Sequence, residues 1–391
     1  MAFFAIIWAG DIMLYFDYSA TTPIDDQVLE TYNKVCKRYW GNANSIYSFG
    51  VECKNLMNEA AKQVADALGV KKDEIVFTSS ASEANNLAIK GVAHKYQARS
   101  KHIVTTNLEH SSVLETVKFL ENEGFVVHYV KNDESGLIDL DDLKYLLDTY
   151  QPSIVSICLV NSEVGIIQNI DDIKTLLKMY PLTFLHVDLT QAIGKIPVDL
   201  SDIDLCSFSG HKIYGPKGIG CLIKKEKIEL TPLIHGGKSQ TIYRASTPPV
   251  ELMVSLAKAL NLALKDLDNK YEYVQELNKK LRTYLEKCDE VTINSNNNCI
   301  SHIINFSLNN IKSETFLHSL EEKGIYVSTK TACSSDKDES QTLKAMGKDK
   351  NISTRSIRIS LSHKATKEEV EQLIEGISKS FGELSFMKGS N

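Results

Sequence analysis

Hydrophobic residues along the chain fall into short runs set apart by longer stretches with helical spacing. Runs at 74–78, 102–105, 125–130, 154–160, 182–187 and 203–208 are too short for helices and read as buried strands. Between them, residues 81–96, 112–123, 140–150 and 170–180 place apolar side chains every three or four positions and predict helices. Upstream, residues 14–23 predict a short strand and a turn. Asp25 caps a helix predicted over 26–39, and a helix over 51–68 ends at Gly69. Alternation of this kind predicts an α/β fold, a mostly parallel sheet covered by helices.

The pattern changes after Pro248-Pro249. Residues 251–287 form one long amphipathic stretch, too long for an ordinary crossover, and read as a connection between two domains. Beyond it come a strand (302–306), a helix (313–323), two strands (324–327 and 356–361) and a helix (366–381), the order of a smaller α+β domain. The expected division is a large domain over 25–262 and a small one made of 13–24 plus 263–391. Residues 1–12 read as an N-terminal extension, with an ordered apolar arm packing on a partner as the alternative. This apolar start has no Lys or Arg and is shorter than the roughly 20 residues of a membrane span, so it fits neither a signal peptide nor a span.

Composition narrows the classes. With 43% hydrophobic and 24% charged residues in 391, the chain is that of an ordinary soluble globular protein. A net charge of -6 argues against a nucleic-acid-binding surface, which would be basic. Eight cysteines, at 36, 53, 158, 206, 221, 288, 299 and 333, are scattered with no Cys-x-x-Cys and no metal-like spacing. They read as reduced thiols of a cytoplasmic protein without a metal site.

Candidate chemistry centres on Ser207-Phe208-Ser209-Gly210-His211-Lys212-Ile213-Tyr214-Gly215-Pro216, held between two apolar runs. Burial lowers a lysine pKa, and a neutral amine is what Schiff-base chemistry needs. Taken alone, the motif also fits a surface lysine in a hairpin turn. Ligands of such sheets sit beyond the carboxyl ends of strands, so the residues there decide the matter. Ser79-Ser80-Ala81-Ser82 opens a helix and suits a phosphate, or simply caps the helix. His110 follows the next strand, as a structural ring or as an acid, base or stacking partner. Asn161 follows the strand at 154–160. Asp188 ends the strand at 182–187, with Gln191 three residues on; a buried acid there needs a partner, either a pyridinium nitrogen or a helix N-terminus. Cys333 lies in a charged, polar stretch beside Lys330, where a thiolate can form; packing is its other reading.

Those stations, together with Tyr15-Phe16-Asp17-Tyr18-Ser19-Ala20-Thr21-Thr22-Pro23, Glu83-Ala84-Asn85-Asn86-Leu87, Glu109-His110-Ser111-Ser112-Val113 and Val160-Asn161-Ser162-Glu163-Val164-Gly165, carry a resemblance. The chain resembles the cysteine desulfurases, class V, fold type I enzymes that use pyridoxal 5'-phosphate (PLP). They are related to the sulfur donors of nitrogen fixation and iron–sulfur-cluster assembly. The similarity runs from residue 14 to about residue 381. It implies that Lys212 forms the Schiff base, that His110 stacks on the cofactor ring and assists proton transfer, that Asp188 pairs with the pyridine nitrogen and that Gln191 touches the phenolic oxygen. Ser82 with the Ala81 amide, Ser209 and His211 would hold the phosphate, and Thr247 would reach the phosphate of a second subunit in a homodimer. Asn161 and Arg358 would bind the carboxylate of L-cysteine. Cys333 would take the sulfur as a persulfide, release L-alanine, and pass the sulfur to an acceptor protein for cluster assembly or tRNA thiolation. Another class V enzyme (a selenocysteine lyase or an aminotransferase) and a scaffold without turnover are the alternatives. The chain departs from the family at Ser80, Ile242, Ser246 and Ser362, where glycine is usual, and in the residues before Cys333. Glycine admits positive φ, so backbone differences are expected in those loops.

Overall fold

A computed structural model describes the backbone of residues 13–237, 239–329 and 339–388, with side chains to residue 384. The chain opens with β1 (Leu14–Tyr15), α1 (Asp26–Arg38) and α2 (Ser48–Leu68). It continues through β2 (Ile75–Thr78), α3 (Ala81–Tyr96), β3 (His102–Thr106), α4 (Ser111–Asn122), β4 (Val126–Val130), α5 (Leu140–Tyr150), β5 (Ile154–Cys158), α6 (Ile170–Leu177), β6 (Phe184–Asp188), β7 (Leu205–Ser209) and β8 (Gly220–Lys224). Strands β2 to β8 form one seven-stranded sheet in the order β2-β8-β7-β6-β5-β3-β4, in which only β8 runs against the rest. The α/β expectation holds.

Strand periodicity explains why the sheet is covered on both faces. Ile75 and Phe77, Val155 and Ile157, Leu185 and Val187, and Cys206 and Phe208 point into one core with α2, α5 and α7 (Val250–Leu264). Their alternates Val76, Ile154, Phe184 and Leu205 point into a second core with α3 and α4. A strand buried on both faces cannot show polar alternation, so it reads as a solid apolar run.

The long amphipathic stretch over 251–287 is two helices, α7 and α8 (Leu267–Leu285). Asp266 turns the chain between them in the left-handed region (φ 53°). Lys270 Nζ donates to Leu262 O at 2.6 Å and to Ala263 O, satisfying carbonyls that the end of α7 leaves open. Helical periodicity passes through such a break unaltered, which is why the pattern hides it.

The remainder comprises β9 (Val291–Ile293), β10 (Ile303–Leu308), α9 (Ser313–Glu321), β11 (Ile325–Tyr326), α10 (Gln341–Ala345), α11 (Lys350–Thr354), β12 (Ser356–Ser360) and α12 (Lys367–Lys388). Strands β12, β10 and β9 form an antiparallel sheet, and β1 pairs in parallel with β11. Leu14 and Phe16 share a core with Val274, Ile304, Phe306, Phe316 and Ile357. Residues 14–16 therefore belong with the last third of the chain. None of Ser80, Ile242, Ser246 and Ser362 takes a positive φ, so the missing glycines leave no strained backbone. Ser80 is extended (φ -172°), and its hydroxyl caps α3 by accepting from Glu83 N. Among the described residues no helix is long and apolar enough to cross a membrane.

Candidate active site

The carboxyl ends of β2, β3, β5, β6 and β7 open onto one cavity of about 190 Å³. Ala81, Ser82, His110, Asp188, Gln191, Ser209, His211, Lys212 and Arg358, singled out from the sequence, all line it. Ser19 and Ala20 close it from the turn that follows β1.

Lys212 ends a single 3-10 turn, Gly210–Lys212, that follows β7 directly. Residues 19–22 clamp this turn. Thr22 donates through both N and Oγ1 to His211 O, and Tyr214 N donates to Thr22 Oγ1 at 2.8 Å. The Lys212 amine donates to Ser19 O at 2.5 Å and Ala20 O at 2.7 Å, facing the cavity floor. His211 Nδ1 lies 3.1 Å from Thr21 Oγ1; burial, then the nearby Lys212, hold its pKa down at about 4, so the ring is neutral.

At one end of the cavity the N-terminus of α3 meets β7. Ala81 N donates to Ser209 Oγ at 2.6 Å, so a first-turn amide and a hydroxyl converge with Ser82 and His211. Gly220 lets this happen: a Cβ there would lie 2.5 Å from Ser80 C and 2.9 Å from Ala81 N. Exposed amides, the helix dipole and hydroxyls fit a phosphate.

The middle is acidic. Asp188 ends β6, with Oδ1 accepting from Thr190 N at 2.9 Å and Oδ2 from Asn85 Nδ2 at 2.8 Å. Gln191 Nε2 donates to Ser19 O, and its Oε1 accepts from Lys195 Nζ at 2.5 Å. Lys195 is buried, and burial first, then the charges of Lys212 and Arg358, bring its pKa from 10.5 down to about 7. Behind the wall, Glu109 Oε1 accepts from Thr106 Oγ1 and Cys158 N, and burial pushes its carboxyl up to about 8.

At the other end stands Arg358 of β12, 1% exposed. Its Nη2 donates to Asp17 Oδ1 at 2.7 Å and its Nη1 to Ser162 O at 2.8 Å, while Nε has no partner. Ser19 Oγ and Thr190 Oγ1, likewise on cavity-lining residues, are buried without partners. Buried polar atoms are normally satisfied, so this cluster of open groups marks a place built for a polar ligand. The set fits PLP: phosphate donors at one end, a carboxylate for a ring nitrogen, an amide for a phenolic oxygen and a lysine amine.

Three residues stand apart. Asn161 Nδ2 donates to Leu108 O and Thr342 Oγ1, and its Oδ1 accepts from Glu163 N and Val164 N, so its amide is saturated and does not line the cavity. Thr247 is exposed on the loop before α7, away from this chain's cavity. Cys333 lies outside the described residues. The described residues flanking its segment approach the site: Ser328 pairs with Arg358, Ser356 Oγ donates to Thr329 O, and Thr342 accepts from Asn161. Sequence reasoning did not single out Asp17, Asn85, Ser112, Lys195 or the Ser19 and Ala20 carbonyls. Asn85 had a legible signal, lying one helical turn beyond Ala81 and so on the same face of α3.

Residues 14–373 match the model of aminotransferase class V, and the chain belongs to that family. Relatives within it include cysteine desulfurases. Cysteine desulfurase IscS of Dictyoglomus turgidum is 38% identical over 369 residues, 93% of each chain. Among solved structures, a NifS-like protein superposes with a TM-score of 0.89 at 37% identity, covering 96% of this chain and all of the other. SspA in complex with cysteine superposes with a TM-score of 0.78 at 32% identity, covering 90% of this chain and 99% of the other.

Proposed function

We propose that the protein is a PLP-dependent L-cysteine desulfurase that yields L-alanine and a persulfide on Cys333. One observation carries the proposal: Lys212, Asp188, Gln191, His110 and the N-terminus of α3 converge on a single cavity in a chain whose relatives include cysteine desulfurases. Bound there, PLP supplies an electron sink for the Cα–H bond of an amino acid.

The protein's own groups supply placement and proton transfer. The Ala81 amide (on releasing Ser209 Oγ), Ser82, Ser209 and His211 would hold the phosphate, Asp188 would face the ring nitrogen, and Gln191 Nε2 would donate to the phenolic oxygen. Lys195 Nζ donates to Gln191 Oε1, which turns Nε2 toward the cavity. Arg358 keeps its Nε edge for the carboxylate of cysteine, while Asp17 and Ser162 O steady the rest of the fork. Asn161 serves by fixing the loops at Leu108 and Val164; reaching the substrate carboxylate would require it to release one of four hydrogen bonds. Lys212 Nζ takes the α-proton. The Cys333 thiolate then forms a bond to the substrate sulfur as its carbon–sulfur bond breaks, and alanine leaves. The persulfide passes to an acceptor protein. Thr247 and the exposed Trp40, Ile46 and Ile242 fit a homodimer in which Thr247 serves the second subunit's phosphate site. The setting is cytoplasmic.

Borohydride trapping and peptide mapping test the centre of this reading, with the label expected on Lys212. Sulfide and alanine should appear in equal amounts from wild type, while Cys333→Ala loses at least about 100-fold, the scale of removing a covalent nucleophile. Transamination that survives in Cys333→Ala would favour an aminotransferase. Colourless protein that takes up no PLP would favour a scaffold.

A further inference from the structure

Asn85 is a fully buried amide on α3 that packing alone does not call for. Its Nδ2 donates to Asp188 Oδ2 at 2.8 Å and to Ser112 Oγ at 2.9 Å, which uses both amide hydrogens. Ser112 Oγ in turn lies 2.9 Å from His110 Nδ1, and Ser112 N donates to the same Nδ1 at 3.1 Å.

The direction of each bond follows from chemistry. A backbone N–H only donates, so His110 Nδ1 must present its lone pair there and the ring proton sits on Nε2. The Asn85 NH2 also only donates, so Ser112 Oγ accepts from it and keeps its own hydrogen for Nδ1. Turning the Asn85 amide over would set its oxygen against the Asp188 carboxylate. Every bond therefore points one way, from Asn85 through Ser112 to His110. Helix capping accounts for the Ser112 amide contact but not for the buried amide behind it.

We propose that Asn85 and Ser112 are positioning residues that hold His110 as the Nε2–H tautomer, a proton donor toward the cavity, while the same amide fixes the Asp188 carboxylate. The proposal deepens the reading of His110 and Asp188 given above and rests on it. It adds a direction: His110 delivers its proton from Nε2, and it can be protonated at Nδ1 only by giving up the cap of α4.

The test is two-bond proton–nitrogen correlation on full-length protein with ring-labelled histidine, as purified and again after cofactor removal, with His110→Gln for assignment. Wild type should show His110 protonated at Nε2 and bare at Nδ1 in both forms. Asn85→Asp places an acceptor where a donor stood, which draws the Ser112 hydrogen away and reverses the relay. The tautomer ratio should then move toward Nδ1–H by about tenfold, the scale of one charge-assisted hydrogen bond. Its kcat should fall by about tenfold or more, with KM for cysteine within about twofold. Adding Ser112→Ala should abolish the tautomer change, because the relay has lost its middle member. If Asn85→Asp does not fold, Asn85→Ala should move the ratio the same way by less. Nδ1–H in wild type, or an unmoved ratio in the folded variant, overturns the proposal. Protein that lacks PLP and does not turn over cysteine would strike the functional reading alone, since the tautomer is read without cofactor.

Discussion

Lys195→Met separates what this site needs from what the fold prefers. In the folded protein the Lys195 pKa falls from 10.5 to about 7, chiefly through burial. At about 1.36 kcal/mol per pH unit, the charged form is disfavoured by about 5 kcal/mol. Because the folded pKa lies below the unfolded one, the protein has its full stability above pH 10.5 and loses it as pH falls through 7. Linkage puts the loss near ~4 kcal/mol at pH 7 and ~2 kcal/mol at pH 9. Methionine removes that penalty but leaves Gln191 Oε1 buried without its donor, which costs about 1–3 kcal/mol. The net gain is about 1–3 kcal/mol at pH 7 and about zero at pH 9, within the range seen when buried charges become apolar. At about 2.1 cal/mol/K per residue, a chain of this length has an unfolding entropy near ~0.8 kcal/mol/K, so Tm should rise by about 1–4 °C at pH 7. Scanning calorimetry of both proteins from pH 6 to 9 at fixed ionic strength and scan rate reads this directly. A variant that melts below wild type at pH 7, or by the same margin at pH 7 and pH 9, would refute the reasoning. Cysteine turnover should fall although the protein is more stable, because the Gln191 amide is then free to turn over.

Further outcomes follow from the same structure. Glu109→Gln should match wild type in Tm near pH 5 and exceed it by several degrees near pH 9. Wild type loses stability as pH climbs from 4.5 through about 8 and its buried carboxyl must ionise; the amide does not. Asp17→Asn strips the anion from the buried Arg358 guanidinium, and breaking such a pair costs about 3–5 kcal/mol, or about 4–6 °C in Tm by calorimetry. Gly220→Ala drives a Cβ into Ser80 and Ala81; overpacking costs about 1–3 kcal/mol, and the PLP retained per subunit after dialysis should drop as the α3 terminus shifts.

Much of the α/β framework was legible because strands buried on both faces must be mostly apolar, as Ile154–Cys158 and Phe184–Asp188 are apart from the buried Ser156, His186 and Asp188. Where sequence pattern failed, the reason was local. Asp266 breaks a helix at a point where apolar spacing continues on both sides, and β9, α10 and α11 are too short to show a period. At the site, residues at or just past a strand end were legible: Asp188 ends β6, and His110 and Lys212 follow β3 and β7 within four residues. Those acting from a distance were not. Lys195 reads as an ordinary lysine after a glycine, and the charges that act on it, those of Lys212 and Arg358, arrive from two distant places in the chain. The Ser19 and Ala20 carbonyls carry no side-chain signature at all. Asn161 differs from these, since a polar residue beyond a strand end suggests a ligand contact, and here four loop hydrogen bonds occupy its amide.

The pairing of β1 with β11, and of Asp17 with Arg358, also bears on when the proposed cofactor could be taken up. Residues 14–22 emerge from the ribosome long before residues 325 and 358, and until those arrive the strip that seats the lysine amine rests on the Gly210–Lys212 turn without its β11 and Arg358 contacts. On the proposed reading, a truncated nascent chain, however well its seven-stranded sheet has formed, would offer the aldehyde an unfinished receptacle.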